Sequence, residues 1–476
     1  MFSSMVQAFI TYFTILLGIG FYFYHKNKSQ GNCDLDSKKF NYFVTAISAQ
    51  ASDMSDWLFM GFPGVIYANG LIEVWTAVGL VVFMFLNWHF IAPKFRVAAE
   101  QTDSTTLASF LQTKFGDTTN TIRIISGLLC LYFFTFYIAA GIVGLGNVFE
   151  SAFNINYYHG IILGLAITLI YTLLGGLLAI AWSNLFQGLF LLIAIIVVPI
   201  YATYQLGGIS TVITLLHQQP TEYLSFISPS KSIMSIFFSI TAWGLGYFGQ
   251  PHILNSFMKI DDVNNMKKAK FVGISWQILV LVAAIFVGIT GKAFISPALI
   301  NQEFVFIAMV KSLFHPFCAG FILCAMLAAT ISTINTQSLI SSLLITHDLY
   351  YPLSKKQVTN QEKLQFTRLA LFIIPILALI TAFYNTNSIM NLVYYAWSGL
   401  GCSFGPLVIL SLYTTFVTPQ GAIGGLISGG FIGVSWSIIA PLIGSTTPTL
   451  VVGFIINFIT TYIISMSTKK VIHEKN

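Results

Sequence analysis

Two carboxylates, Asp53 and Asp56, stand in the middle of an otherwise apolar stretch that reads Ser48-Ala-Gln-Ala-Ser-Asp-Met-Ser-Asp-Trp57. Of sixteen acidic residues, only these two lie deep in such a run. A carboxylate at the centre of a membrane helix costs about 2.5–3.5 kcal/mol on insertion scales. Such a cost persists where a cavity, a bound cation or a partner offsets it, and no Lys or Arg inside an apolar run offers that partner. On an unbroken helix the two residues, three apart, would share a face. A second segment, Trp243-Gly-Leu-Gly-Tyr-Phe-Gly-Gln-Pro-His252, packs three glycines and a proline into eight residues. That composition unwinds a helix. Freed carbonyls are tolerated at membrane depth only where they line a cavity or bind something. A third segment, Ala328-Ala-Thr-Ile-Ser-Thr-Ile-Asn-Thr-Gln337, places the hydroxyls of Ser332, Thr333 and Thr336 at helical spacing. Alone, those hydroxyls would bond back to their own helix. Beside a broken helix with free carbonyls they complete an all-oxygen set, which suits a hard cation such as Na⁺.

The elements that hold these residues are membrane helices. The chain has 476 residues, 56% hydrophobic and 8% charged, with a mean hydropathy of +0.80. Soluble domains carry about 25% charged residues, so a soluble enzyme, a nucleic-acid binder and a disordered chain are excluded. Solid apolar runs of about 20 residues indicate helices, where a barrel would alternate over about 10. The runs predict thirteen spans: 5–24, 41–69, 72–92, 123–149, 158–175, 178–204, 232–255, 271–291, 316–347, 365–385, 389–416, 421–442 and 448–467. Residues 5–24 read as a retained span, since no positive segment precedes them and no small-residue cleavage site follows. The five cysteines (Cys33, Cys130, Cys318, Cys324, Cys402) are scattered and form neither a disulfide framework nor a metal motif.

Basic residues set the orientation. With the N-terminus outside, nineteen of the twenty-two Lys and Arg fall on the cytoplasmic side, and only Lys231, Lys292 and Lys311 fall outside. The bias is self-consistent only with an odd number of spans. It makes the net charge of +6 a cytoplasmic collar, with no nucleic-acid role. Spans two to six and seven to eleven are two sets of five, each opening with its interrupted helix. A shift of five helices reverses sidedness, so the halves would be inverted repeats, an arrangement that puts substrate and ions where the broken helices meet.

At these segments the chain resembles the sodium:solute symporter family, and within it the bacterial sodium/proline symporters. The strings that carry the resemblance are SAQASDMSDWLFMGFPG (48–64), WGLGYFGQPHI (243–253) and AATISTINTQ (328–337) with ITHDLY (345–350). Weaker support comes from FTFYIAAGIVG (134–144). The resemblance implies an all-α polytopic membrane protein of about thirteen transmembrane helices, with the LeuT-like five-plus-five inverted repeat and flanking helices. The expected organisation is one transporter domain: the first span and a cytoplasmic loop over 1–40, the first repeat over 41–205, the second over 232–416, and two C-terminal spans with a short cytoplasmic tail over 417–476. The implied Na⁺ ligands are the backbone oxygens of Ala51, Met54 and Ala329 and the hydroxyls of Ser332 and Thr333. Asp53 matches the acid associated with Na⁺ dependence. Ser55, Tyr137, Trp243, Tyr247 and Pro251 would line the substrate cavity.

One position departs from the family: Asp56 stands where the sodium/proline symporters have Gly. A carboxylate there could pair with an amino group on a cationic substrate, or turn aside to a backbone amide. The expected function is Na⁺-coupled import of a small amino acid by alternating access, with proline the leading candidate. A carrier of a cationic amino acid or amine, or an H⁺-coupled carrier, is the alternative. A membrane sensor is disfavoured by the ten residues after Met466, and an enzyme by eight unclustered histidines without HExxH or a Ser/His/Asp arrangement. The expected partners are the solute and the lipid bilayer, with no nucleic acid and no obligate protein partner. The expected location is a bacterial cytoplasmic (inner) membrane, with the C-terminus in the cytoplasm.

Overall fold

The computed structural model describes residues 2–29, 40–227, 233–353, 360–384 and 388–475. Among them the only pairing outside helices is a single parallel bridge between Phe40 and Ile260. The helices run α1 (Phe2–Ser29), α2 (Tyr42–Asp53), α3 (Phe62–Asn69), α4 (Val74–Leu86), α5 (Ala92–Gln101), α6 (Leu107–Phe115), α7 (Thr121–Phe153), α8 (Tyr157–Gln205), α9 (Ile209–Leu216) and α10 (Ile233–Gly244). They continue as α11 (Pro251–Met258), α12 (Met266–Phe294), α13 (Val305–Leu313), α14 (Pro316–Leu343), α15 (Tyr351–Leu353), α16 (Asn360–Tyr384), α17 (Ile389–Tyr413), α18 (Pro419–Leu442) and α19 (Thr449–Lys475). Among the described residues nine helical stretches are long and apolar enough to cross a bilayer. Three shorter apolar helices and the interrupted second span bring the crossings to the expected thirteen.

Both expected interruptions are present. Helix α2 begins at Asn41, whose side chain accepts the Val44 N–H at 2.9 Å. It ends at Asp53, and Met54 leaves helical geometry at φ −88°, ψ 89°. The chain restarts through a π turn (Trp57–Gly61) into α3, with a proline in its first turn. Helix α10 tightens into a 3₁₀ stretch (Leu245–Gly249), breaks at Gln250 and restarts at Pro251 as α11. Glycine is required here by close approach. A Cβ on Gly246 would lie 1.9 Å from the Trp397 indole nitrogen, and one on Gly249 would lie 2.7 Å from the Gly405 backbone nitrogen.

One expectation is modified. Spans 158–175 and 178–204 belong to a single helical element, α8. Thr172 and Asn184 would be about 18 Å apart on a straight helix. Both reach one turn of α14, Thr172 bonding Asn335 and Asn184 bonding Ser332. The two ends of α8 also meet neighbouring helix ends on one side, Tyr157 at Ala382 and Tyr201 at Phe314. The arms of α8 therefore lie side by side, as two crossings.

On the face that carries the basic loops, two contacts tie the broken helices to their surroundings. Phe40 N–H donates to Lys259 O at 2.8 Å and Asp261 N–H donates to Phe40 O at 2.9 Å. This clasp joins the chain before α2 to the chain after α11, and Arg96 adds a bond to Ile260 O at 3.1 Å. Nearby, Arg123 on α7 pairs with Asp348 in the π turn after α14 at 2.6 Å. The sequence reading left Asp348 in the tail of a span, yet it is fully buried. Asp117, in the loop before α7, accepts the Thr119 hydroxyl and the Thr119 and Ile122 N–H groups. Burial opposes ionisation there, but these bonds prevail and hold its carboxyl below the usual range.

Candidate functional site

The site lies where the break after α2 meets α7, the α10–α11 break and α14. Ala51, at the end of α2, turns its carbonyl toward α14, where the Ser332 hydroxyl stands 3.1 Å away. One residue on, the Thr333 hydroxyl donates to Ala329 O at 3.2 Å. Met54 is fully buried at the break itself. Four of the five expected cation ligands are thus joined in two hydroxyl–carbonyl pairs, with Met54 on the same broken strand. Every donor is a hard oxygen, the chemistry that Na⁺ prefers. Asn184 completes this cluster: its Oδ1 lies 2.7 Å from the Ser332 hydroxyl and its Nδ2 donates to Thr336 and Ser48 at 3.1 and 3.3 Å.

Asp53, the last residue of α2, faces α7 and the α10–α11 break. Its carboxylate accepts the Tyr247 hydroxyl at 3.2 Å and the Tyr137 hydroxyl at 3.4 Å. His252 Nε2 lies 3.7 Å away, beyond hydrogen-bond reach but close for charge. The Asp53 carbonyl accepts the Trp57 indole at 2.9 Å. Tyr247 is fixed in turn by Gln277, which donates to its hydroxyl at 2.9 Å, and by Asn87, which donates to its carbonyl at 2.9 Å. Trp243 stacks on Trp57 at 6.2 Å, and its carbonyl accepts the Trp397 indole at 2.8 Å. Pro251 is buried at the start of α11.

Asp56 and Ser55 differ from these. Both are buried, and among the described residues neither carboxylate oxygen nor the Ser55 hydroxyl has a hydrogen-bond partner. The expectation that Asp53 and Asp56 share a face is corrected. The helix ends at Asp53, and the non-helical step at Met54 spreads the two along α7: Asp53 lies at Tyr137, while Asp56 abuts Gly144 two turns further on.

The site is sealed. Every expected site residue is buried, and the most exposed, Trp243 at 9%, faces a cavity of about 430 Å³ that Phe62, Glu73, Met390, Asn391 and Tyr394 also line. On the basic face a cavity of about 40 Å³, lined by Ser48, Asn184, His252 and Thr336, stops at Phe40 and Lys259. The sequence reading missed Asn184, His252 and Gln277. Each is a large polar residue at membrane depth, Asn184 between Ser183 and Gln187 and His252 between Gln250 and Asn255, and that is the signal that would have found them.

Comparison with known proteins agrees with this arrangement. The profile of the sodium:solute symporter family matches residues 35–429. A protein of Staphylococcus saprophyticus named sodium/proline symporter 2 is 40% identical over 476 residues, covering 97% of this chain and 92% of the relative. A solved structure of a Na⁺-coupled sialic acid symporter in a substrate-bound outward-open state superposes with a TM-score of 0.81 at 18% identity, covering 97% of each chain. The transporter MhsT, solved with L-phenylalanine, superposes with a TM-score of 0.60 at 13% identity over 88% of this chain and all of the other. The fold is therefore the LeuT-like one, with flanking helices. With two interrupted helices meeting an oxygen-rich turn of a third, and with a family match over most of its length, this multi-pass membrane chain belongs to the sodium:solute symporter family.

Proposed function

We propose that the protein imports a small amino acid, with proline the leading candidate, by Na⁺-coupled alternating access. The observation that carries the reading is the Ser332 hydroxyl on Ala51 O beside the break of α2, with the Thr333 hydroxyl and Ala329 O paired next to it along α14. The relative named sodium/proline symporter, 40% identical, supports proline. In this reading Na⁺ is cargo held by those four residues and Met54, with Asp53, next to Met54 in the chain, supplying negative charge. The ion bridges α2 and α14, which belong to the two repeats (41–205 and 232–416), and so favours the state open toward the cavity floored by Trp243. Ser55, Tyr137, Trp243, Tyr247 and Pro251 bound the solute. Release follows when the clasp at Phe40 parts and the cavity at Asn184 and His252 opens. At −100 mV each Na⁺ entering contributes about 2.3 kcal/mol from the potential alone. The chain sits in a bacterial cytoplasmic membrane with its N-terminus outside and its C-terminus in the cytoplasm.

The test is uptake of labelled proline into proteoliposomes with Na⁺ and pH gradients imposed separately. Na⁺ alone should drive uptake. Ser332→Ala and Thr333→Ala each remove one ligand oxygen, worth about 1–2 kcal/mol, and should raise the half-saturating Na⁺ concentration about tenfold. Uptake that persists unchanged in Na⁺-free buffer with a pH gradient would replace Na⁺ by H⁺ in this reading.

A further inference from the structure

Two buried carboxylates lie three residues apart, and the protein treats them differently. Asp53 is satisfied from within, by two tyrosine hydroxyls with a histidine beside them. Asp56 is 1% exposed, enters no ion pair among the described residues, and has no hydrogen-bond donor on either oxygen. The Ser55 hydroxyl and the N–H groups of Asp56 and Trp57 are near enough to act on it electrostatically, but none is in bonding geometry. An uncompensated buried carboxylate is among the least favourable groups a fold can hold, and a cation from outside the chain would compensate it.

The surroundings specify that partner. A Cβ at residue 144 would lie 1.9 Å from Asp56 Oδ2 and 2.7 Å from its Cγ. The carboxylate therefore fills the space that only glycine leaves open on α7. Gly144 is two turns from Tyr137 on the same face of that helix. The next residue, Trp57, stacks on Trp243, which lines the 430 Å³ cavity. Carboxylate plus aromatic faces is the chemistry that receives an organic cation. A second acid, Glu303, is also within electrostatic reach of Asp56 and is itself buried, with the Ile389 and Met390 N–H groups 3.4 Å away. A carboxylate with no donor of its own favours a net positive solute over a zwitterion, whose carboxylate it would repel. Both Asp56 oxygens lack donors, so the cation must bring N–H groups. A quaternary ammonium has none.

We infer that Asp56, seated in the Gly144 notch, is a subsite for an N–H-bearing cationic group of the transported solute, and that the pair decides which solute is preferred. This rests on the symport reading for transport, but not for binding, and it puts a cationic amino acid ahead of the proline that the relative's name suggests. Two measurements on the full-length protein therefore run together. The first is thermal stabilisation of the purified protein in Na⁺ by proline, lysine, ornithine or choline. The second is competition by the same unlabelled compounds against Na⁺-driven uptake of labelled ornithine and proline.

Ornithine or lysine should stabilise the parent and compete at concentrations at least tenfold below proline, and choline should do neither. Asp56→Asn keeps the volume and removes the charge, and should erase that tenfold preference. Gly144→Ala should do the same by displacing the carboxylate. The exchanged pair Asp56→Gly with Gly144→Ala should recover Na⁺-driven uptake with proline leading. An identical ranking in the parent and Asp56→Asn would overturn the subsite, as would choline matching ornithine. A change confined to the half-saturating Na⁺ concentration would overturn it too, because Asp56 would then serve the ion. Stabilisation by ornithine without any Na⁺-driven uptake would sink the symport reading and leave the subsite standing. Na⁺-driven proline uptake indifferent to ornithine would do the reverse.

Discussion

Asp53→Asn should need about a hundredfold more Na⁺ for half-maximal uptake while reaching the membrane at parental levels. The residue lies on the same short stretch as Ala51 and Met54 and is fully buried. A unit charge near a monovalent cation at an effective dielectric of about 20 is worth on the order of 3 kcal/mol, which is about two decades in ion concentration. The fold should tolerate the change. Asparagine keeps one oxygen for the Tyr137 or Tyr247 hydroxyl, and its amide can donate to the other, since a tyrosine hydroxyl also accepts. Na⁺ titration of uptake, normalised to protein in the membrane, checks both halves. A variant that transports like the parent would make Asp53 a packing residue.

Arg123→Ala should have the largest effect on folding. Arg123 is 23% exposed, whereas its partner Asp348 is fully buried, at 2.6 Å. Removing the arginine strands a buried carboxylate at a cost of about 3–5 kcal/mol, against a total stability of about 5–15 kcal/mol. The protein level in the membrane and the melting temperature in detergent should both fall sharply. Arg123→Ala combined with Asp348→Asn should regain most of the loss, because no charge is left unpaired. Equal damage in the single and double variants would show that Arg123 acts through packing alone.

The thirteen crossings were legible because lipid demands about twenty apolar residues per helix, a requirement local enough to read along the chain. The two breaks were legible for a related reason: the glycines before Pro251 and the polar run at Ser52–Asp56 cannot sit in a lipid-facing helix. What failed was any inference that assumed an unbroken helical period. Asp53 and Asp56 would share one face on a continuous helix, and the step at Met54 removes that premise. Asp348 stands at a span's end in the sequence, and the π turn over Leu344–Tyr350 places it against Arg123. Asn184, His252 and Gln277 became meaningful only through residues far away in sequence, Ser332, Asp53 and Tyr247. A polar residue carries no mark of which helix will meet it.

The clasp at Phe40 is made of main-chain atoms, and this gives it an unusual property as a reporter. Its two bonds use the amide protons of Phe40 and Asp261. Side-chain replacement leaves those bonds in place, so the seal tolerates sequence drift at its own residues. The same two protons exchange with solvent only while the seal is apart. Their deuterium uptake is therefore a clock for how often the basic face opens, readable without any attached probe or mutation. Under the proposed cycle, Na⁺ alone should slow that clock.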